Sequence, residues 1–213
     1  MALLRVPSHT WKVLLEKISM DEHGNATPPE GVEPVDQLLR EGSARYLDAL
    51  YALNRFTREV IAAATEVWQE SSPELANKIG AQAGPAVSYC NPDGVNSRDC
   101  DGNWAWVTCR SWLAAPLNAN CHLGLWFERE RNGSSVSCKV TFLIEAKSLA
   151  RLQVLENVFQ GVEHFQTQPE DRECGFYRPV ENMDQLTRAS LVEQFKGMMD
   201  YVIGLPRWQD LPR

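Results

Sequence analysis

The chain has 213 residues, of which 44% are hydrophobic and 23% are charged, a composition typical of a folded globular protein. Lys and Arg total 21 against 28 for Asp and Glu, so the net charge is −7 and non-specific binding to nucleic acid is disfavoured. No apolar run reaches the ~20 residues that a bilayer-spanning helix needs, which excludes an integral membrane protein of the helical kind.

The N-terminal segment predicts a short amphipathic helix around Trp11 to Ile18, followed by a linker. Residues 21–34 contain two glycines and three prolines, which disfavour a regular element. The segment lacks the apolar stretch and cleavage site of a secretory signal, so we expect a cytoplasmic protein. The sequence thus predicts a helix and linker over 1–34 and a single domain over 35–213.

A long helix is predicted over residues 35–69, because one apolar stripe repeats along it with a period of seven. The stripe consists of Leu39, Tyr46, Leu53, Val60 and Val67, with Leu50, Ile61, Ala64 and Trp68 beside it. Two interpretations stay open. The stripe packs across a sheet as a core helix, or it forms a seam through which two copies associate as a homodimer.

Residues 71–103 are rich in Ser, Pro, Gly, Asn and Asp, and predict an irregular connection with one short helix at 73–79. A strand follows over Trp104 to Leu113, where Trp104, Trp106 and Trp112 alternate with small and apolar residues.

The clearest local signal is a β-hairpin around Asn132-Gly133, a dipeptide that favours a two-residue turn. It predicts strands over 123–130 and 135–144 in which paired residue numbers sum to 265. Phe127 then faces Cys138 and Leu125 faces Val140, which makes one side of the hairpin apolar. The other side carries Trp126 and Glu128, and the tryptophans of the preceding strand join them if Val107 points to the core.

The remaining elements are two helices and a short strand. Ser148 predicts a helix N-terminus, with apolar positions stepping by three and four as far as Val162. A short strand is predicted over 175–179 and a last helix over 184–203. The predicted fold is therefore α+β: a mainly antiparallel sheet built on the hairpin and packed against these helices, with the long N-terminal helix against an edge or the other face.

The tryptophan-bearing side of the sheet is the best indication of function. Tryptophan is enriched at the centres of protein interfaces, and large apolar patches on monomers usually have a purpose. The candidate partner-binding residues are Trp104, Trp106, Trp112, Trp126 and Glu128. The alternative is that the long helix covers this side, since large aromatic residues are more often buried than displayed.

One short motif points to a different chemistry. Glu145-Ala-Lys147 ends a strand and precedes a helix, and the order of elements over residues 35–180 resembles the PD-(D/E)XK nucleases. That resemblance implies that Glu145 binds a divalent metal such as Mg²⁺ and that Lys147 orients water or stabilises phosphate during phosphodiester cleavage.

The predicted hairpin does not supply the acidic partner that the resemblance requires. Asn120 lies opposite Glu145, and Cys121 and His122 are next to it. Glu128 lies opposite Ser137, eight residues or about 27 Å from Glu145 along the strand. Asp99 or Asp101 from the preceding loop is then the alternative metal ligand.

The six cysteines form no C-x-x-C pair and no spacing typical of a structural zinc site, and we expect most of them to be reduced thiols. Because no catalytic set is complete, we expect a non-enzymatic cytoplasmic interaction protein of the accessory, inhibitor or immunity type, with no cofactor. A metal-dependent nuclease, or a catalytically silent relative of one, is the alternative.

Overall fold

The computed structural model describes residues 19–20, 26–27, 35–90, 104–129, 136–180 and 186–212. Their helices are α1 (Val35–Ile79), α2 (Leu149–Phe159) and α3 (Arg188–Gly204), followed by a 3-10 helix at Pro206–Asp210. Their strands are β1 (Ser19–Met20), β2 (Ala26–Thr27), β3 (Val87–Cys90), β4 (Trp104–Leu113), β5 (Ala119–Arg129), β6 (Val136–Glu145), β7 (Phe165–Gln168) and β8 (Glu173–Pro179).

The strands confirm the α+β class and the antiparallel sheet. Within the described residues, one sheet has the order β3-β4-β5-β6-β8-β7, with every neighbouring pair antiparallel. β1 and β2 form a separate pair, so the prediction that residues 21–34 hold no regular element is wrong at Ala26–Thr27. No helix in the described ranges is long and apolar enough to cross a bilayer.

The chain divides into two compact units, Met1–Ala52 and Leu53–Arg213. The second unit contains the sheet of six strands and the candidate site residues of that sheet. The predicted helix around Trp11 lies outside the described residues, and the predicted domain boundary after residue 34 stays a prediction.

The hairpin register is confirmed along the whole β5–β6 pair. Leu125 pairs with Val140, Phe127 with Cys138, and Asn120 with Glu145, so that each pair sums to 265. The turn residues 131–134 lie outside the described part of the chain. Because side chains alternate across a strand, this register fixes which residues of both strands point to the core.

One side of the sheet, the helix face, is the core. Its strand residues are buried side chains at alternating positions: Val107, Cys109, Leu113, Leu123, Leu125, Val140, Phe142, Ile144, Cys174 and Phe176. Trp68 of α1 stacks on Phe142 with ring centroids 6.2 Å apart, and Phe159 of α2 contacts Phe176 edge-on at 5.4 Å.

The position of the long helix differs from the prediction. We expected it against a sheet edge or the other face, yet the contact of Trp68 with Phe142 places this part of α1 on the same face as α2. Val60, Val67 and Trp68 are at most 1% exposed, which confirms the core interpretation for this part of the apolar stripe. Association of two copies through the helix stays a prediction.

α3 packs beside α1, and polar contacts fix the two helices relative to each other. Arg188 lies 3.1 Å from Glu66, and Lys196 lies 2.8 Å from Glu70. These ion pairs are about half exposed, so they orient the two helices but contribute little to stability. Phe195 and Met199 of α3 are buried in the core, and their burial stabilises the position of this helix.

Two details of the region after residue 70 differ from the prediction. Residues 73–79 are helical as predicted, but they continue α1 instead of forming a separate short helix, and β3 forms at Val87–Cys90. Proline removes one helical hydrogen bond, but Leu75, Ala76 and Ile79 beyond it are buried, and this burial offsets the loss. The structure also contains β7, which the sequence pattern did not predict.

Candidate functional site

The second side of the sheet, the tryptophan face, carries Trp106, Trp112 and Trp126. Trp106 and Trp126 are cross-strand partners, which confirms that the tryptophans of β4 and β5 share one face. All three side chains are half-buried. Trp104 lies in β4 opposite Glu128, and its side chain lies outside the described part. For the part of α1 that belongs to the same unit as the sheet, the alternative that the long helix covers these residues is contradicted by the position of Trp68 on the helix face.

Aromatic rings and small residues make up the middle of the tryptophan face. Trp126 contacts Tyr177 of β8 edge-on, with ring centroids 6.2 Å apart, and Trp106 lies 5.3 Å from the ring of His122. Gly124, which lies between these rings in the register, and the neighbouring Thr141 are buried. The small residues leave room for the large rings on the same face.

Charged residues lie at both ends of this aromatic group. At one end, Lys139 donates to Glu128 at 3.1 Å, and the Glu128 side chain is 54% exposed. At the other end, Arg110 lies 3.7 Å from Glu145, and Lys147 has its Nζ 4.3 Å from the centre of the Trp112 ring. The face therefore has an aromatic middle and a charged rim.

Several polar side chains surround the carboxylate of Glu145 at this rim. Asn120 donates to it at 3.0 Å, and the Nε2 of His122 lies 3.5 Å from the same oxygen. The polar contact with His122 has the largest of several effects that together lower the pKa of Glu145 to about 2, against the opposing effect of burial. Glu145 is thus ionised at neutral pH.

His122 links this carboxylate to the interior of the tryptophan face. Its side chain is 1% exposed, and burial lowers its pKa although the neighbouring Glu145 opposes the shift. The ring is therefore neutral at pH 7. With the proton on Nε2 directed at Glu145, the Nδ1 atom accepts from the hydroxyl of Thr108 at 3.4 Å.

A second carboxylate stands opposite Glu145, and the sequence pattern did not reveal it. Glu173, the first residue of β8, is the cross-strand partner of Glu145. Burial, with a smaller contribution from the negative charges of Asp171 and Glu145, raises its pKa to about 7. The strand predicted here began at residue 175, two residues too late to include Glu173.

The residues of the nuclease resemblance are only partly brought together. Asn120 lies opposite Glu145 and Glu128 lies opposite Ser137, as predicted. Lys147 lies over the Trp112 ring, and Asp99 and Asp101 lie outside the described residues. Among the residues that the structure describes, no group of three or more His, Cys, Asp or Glu side chains could hold a metal ion. A magnesium site at Glu145 stays a prediction.

The described cysteines are free thiols within the core, as expected. Cys109, Cys121, Cys138 and Cys174 are all buried. Burial raises the pKa of Cys109, Cys138 and Cys174 to about 12 and raises that of Cys121 as well. Because the thiolate is the reactive form, these four residues act as packing groups and not as nucleophiles.

No protein-family model, curated protein or solved structure matches the chain. Function is therefore inferred from the side chains of the sheet and their contacts.

Proposed function

We propose that the chain is a non-enzymatic interaction protein, of the accessory, inhibitor or immunity type, that binds a protein partner through the tryptophan face. The observation that supports this most strongly is the difference between the two faces of the sheet. α1 and α2 pack on the helix face through Trp68 and Phe159, while Trp106, Trp112 and Trp126 share the opposite face and are half-buried. Tryptophans that keep part of their surface accessible on one face of a sheet are typical of protein interaction surfaces.

The arrangement of side chains resembles that of a protein interface. Binding energy at such interfaces is concentrated in a few aromatic and arginine residues near the centre, with polar residues around them. Here Trp106, Trp126 and Tyr177 lie in the middle, and the pairs of Glu128 with Lys139 and of Arg110 with Glu145 lie at the ends. The charged ends provide orientation for a partner that buries the aromatic middle.

The charge of the chain indicates the kind of partner. A net charge of −7 attracts a positively charged protein over long range and repels an acidic one. The exposed carboxylate of Glu128 and the ionised Glu145 offer local contacts to Lys or Arg side chains. We therefore expect the partner to present a basic surface around an apolar centre.

Capture of the partner with matched variants tests the proposal. Four tagged proteins are incubated with lysate of the cells that naturally produce the chain. They are the wild type, Trp126→Ala, Trp112→Ala and the control Leu149→Ala. Bound proteins are then compared by mass spectrometry. Leu149 is 62% exposed on α2, which packs on the helix face, so its truncation removes exposed apolar surface outside the sheet. Circular dichroism shows whether each variant keeps its fold.

The affinity of the purified partner for the wild type and for each variant is then measured. A central tryptophan at an interface contributes about 2 kcal/mol or more, so Trp126→Ala weakens binding roughly 30-fold or more while Leu149→Ala leaves it unchanged. Equal affinity of folded Trp126→Ala and wild-type protein would reject the tryptophan face as the binding surface. A slower association rate at high salt is expected for a basic partner.

A further inference from the structure

A groove of about 620 Å³ runs along one flank of α1. Among the described residues, its lining comes from positions 54–69 of this helix alone. Ile61 and Ala62 lie at the middle and are half-buried, while Arg58 toward one end and Gln69 at the other are exposed. The groove therefore has a small apolar centre between polar ends.

The groove lies on a different face of α1 from the stripe that packs on the sheet. Val60 and Val67 of that stripe are 0% exposed. The lining positions recur at steps of three and four residues, so they form one continuous strip over four helical turns, about 22 Å long. A strip of this spacing is the surface through which one helix packs against another.

One buried hydroxyl in the groove lacks a hydrogen-bond partner. Thr57 is 7% exposed, and its Oγ1 contacts no donor or acceptor among the described residues. Buried polar side chains in folded proteins are nearly always hydrogen-bonded. Thr57 therefore favours an occupant that brings polar side chains to the groove.

The charges of the strip are ordered along the helix. Arg58 precedes Glu66 by two turns, and in the described part of the chain Arg58 has no ion pair. Glu66 contacts Arg188 of α3 through Oε2, at 3.1 Å, which leaves Oε1 for a second cation. A helix with the same sequence and the opposite direction would place Glu66 beside Arg58 twice, whereas a parallel one would place Arg58 beside Arg58.

We propose that a second copy of the chain docks in this groove, with the two α1 helices antiparallel about a twofold axis near residues 61 and 62. Ile61 of each copy then faces Ala62 of the other, so that a large side chain meets a small one. Arg58 of each copy lies beside Glu66 of the other, as a self-complementary twofold contact requires. This inference does not depend on docking at the tryptophan face, which is on the opposite side of the sheet.

The size of the strip sets the strength of the contact. A surface about 22 Å long on one helix is smaller than the roughly 1,200 Å² that stable complexes bury. The charged contacts choose the direction of the second helix more than they add affinity. We therefore expect a reversible dimer with a Kd between about 10 μM and 1 mM.

Sedimentation equilibrium of the full chain, with a charge exchange, tests the proposal. Wild-type protein is expected to approach the mass of two chains as its concentration rises to about 1 mM. Arg58→Glu and Glu66→Arg each place like charges together twice per dimer, so each weakens association about tenfold or more. An equal mixture of the two variants restores it, because both contacts then join Glu to Arg, and the double variant restores it alone for the same reason.

Glu193→Arg is the control, since Glu193 is an exposed glutamate of α3 that lines a separate cavity with Val140 and Arg178. This variant is expected to associate like the wild type, and circular dichroism shows that each protein is folded. A wild-type chain that stays monomeric up to about 1 mM would overturn the proposal. So would a folded Arg58→Glu variant that associates as strongly as the wild type, or a mixture of folded variants that fails to restore the dimer.

Discussion

At Glu145, side chains from two neighbouring strands hold one carboxylate in its ionised form. The sequence predicted Asn120 and His122 as its neighbours, because the Asn-Gly turn fixes the register between β5 and β6 by a local rule. It did not predict Glu173, because β6 and β8 are separated by α2 and β7 and no turn connects them directly. Pairing between distant segments is decided by the packing of the whole sheet.

Two glycines in the sheet are placed where no side chain fits. A Cβ at Gly124 would lie 2.1 Å from the Val107 carbonyl oxygen, and one at Gly175 would lie 2.4 Å from the Phe142 carbonyl oxygen. Both obstacles are backbone atoms, which cannot turn aside as the end of a flexible side chain can. The strands therefore approach more closely at these positions than a side chain would allow.

We expect Gly124→Ala to destabilise the protein, because the backbone must shift to admit the methyl group. Such overpacking costs about 1–3 kcal/mol or more, measured as a lower free energy of unfolding in urea. Gly204→Ala is the control, since nothing lies within 4 Å of the position its Cβ would occupy. Equal losses in the two variants would show that the close approach at Gly124 is not what limits this position.

Among the elements, those with strong local signals were predicted well and those that depend on distant contacts were not. The strand Trp104–Leu113 and the start of α2 at Leu149 agree with the prediction. The short strands β3 and β7 carry too few residues for a clear alternation, and each forms along a neighbour that supplies its hydrogen bonds. α1 continues through Pro73 because residues beyond the proline are buried in the core.

A side-chain hydrogen bond caps the N-terminus of α2, and its contribution to stability can be tested. The hydroxyl of Ser148 accepts a hydrogen bond from the Arg151 backbone N–H at 3.2 Å, which satisfies one of the free donors of the first turn. Ser148→Ala removes this acceptor and lowers the free energy of unfolding by about 1 kcal/mol, whereas Ser148→Asp keeps it. Thermal or urea unfolding of the three proteins checks this order of stability, and an unaffected Ser148→Ala would contradict the assigned cap.

For the molecule as a whole, the sheet separates an apolar core from a face of aromatic and polar side chains. The helix face holds the apolar core, and the tryptophan face holds aromatic rings, the Glu145–His122–Thr108 chain of polar contacts and the charged ends. The hairpin register predicted which strand residues belong to each face. Which face the long helix would cover could not be predicted, because its apolar stripe fits either side of a sheet equally well.

Site-specific photo-crosslinking tests the assignment of the tryptophan face most directly. Trp112, Trp126 or, as the control, Leu149 on α2 is replaced by p-benzoylphenylalanine, and the producing cells are illuminated. We predict that the two sites on the tryptophan face crosslink to the same protein, one with a basic surface, and that position 149 does not. Adducts formed at position 149 and absent from both tryptophan positions would contradict the proposal.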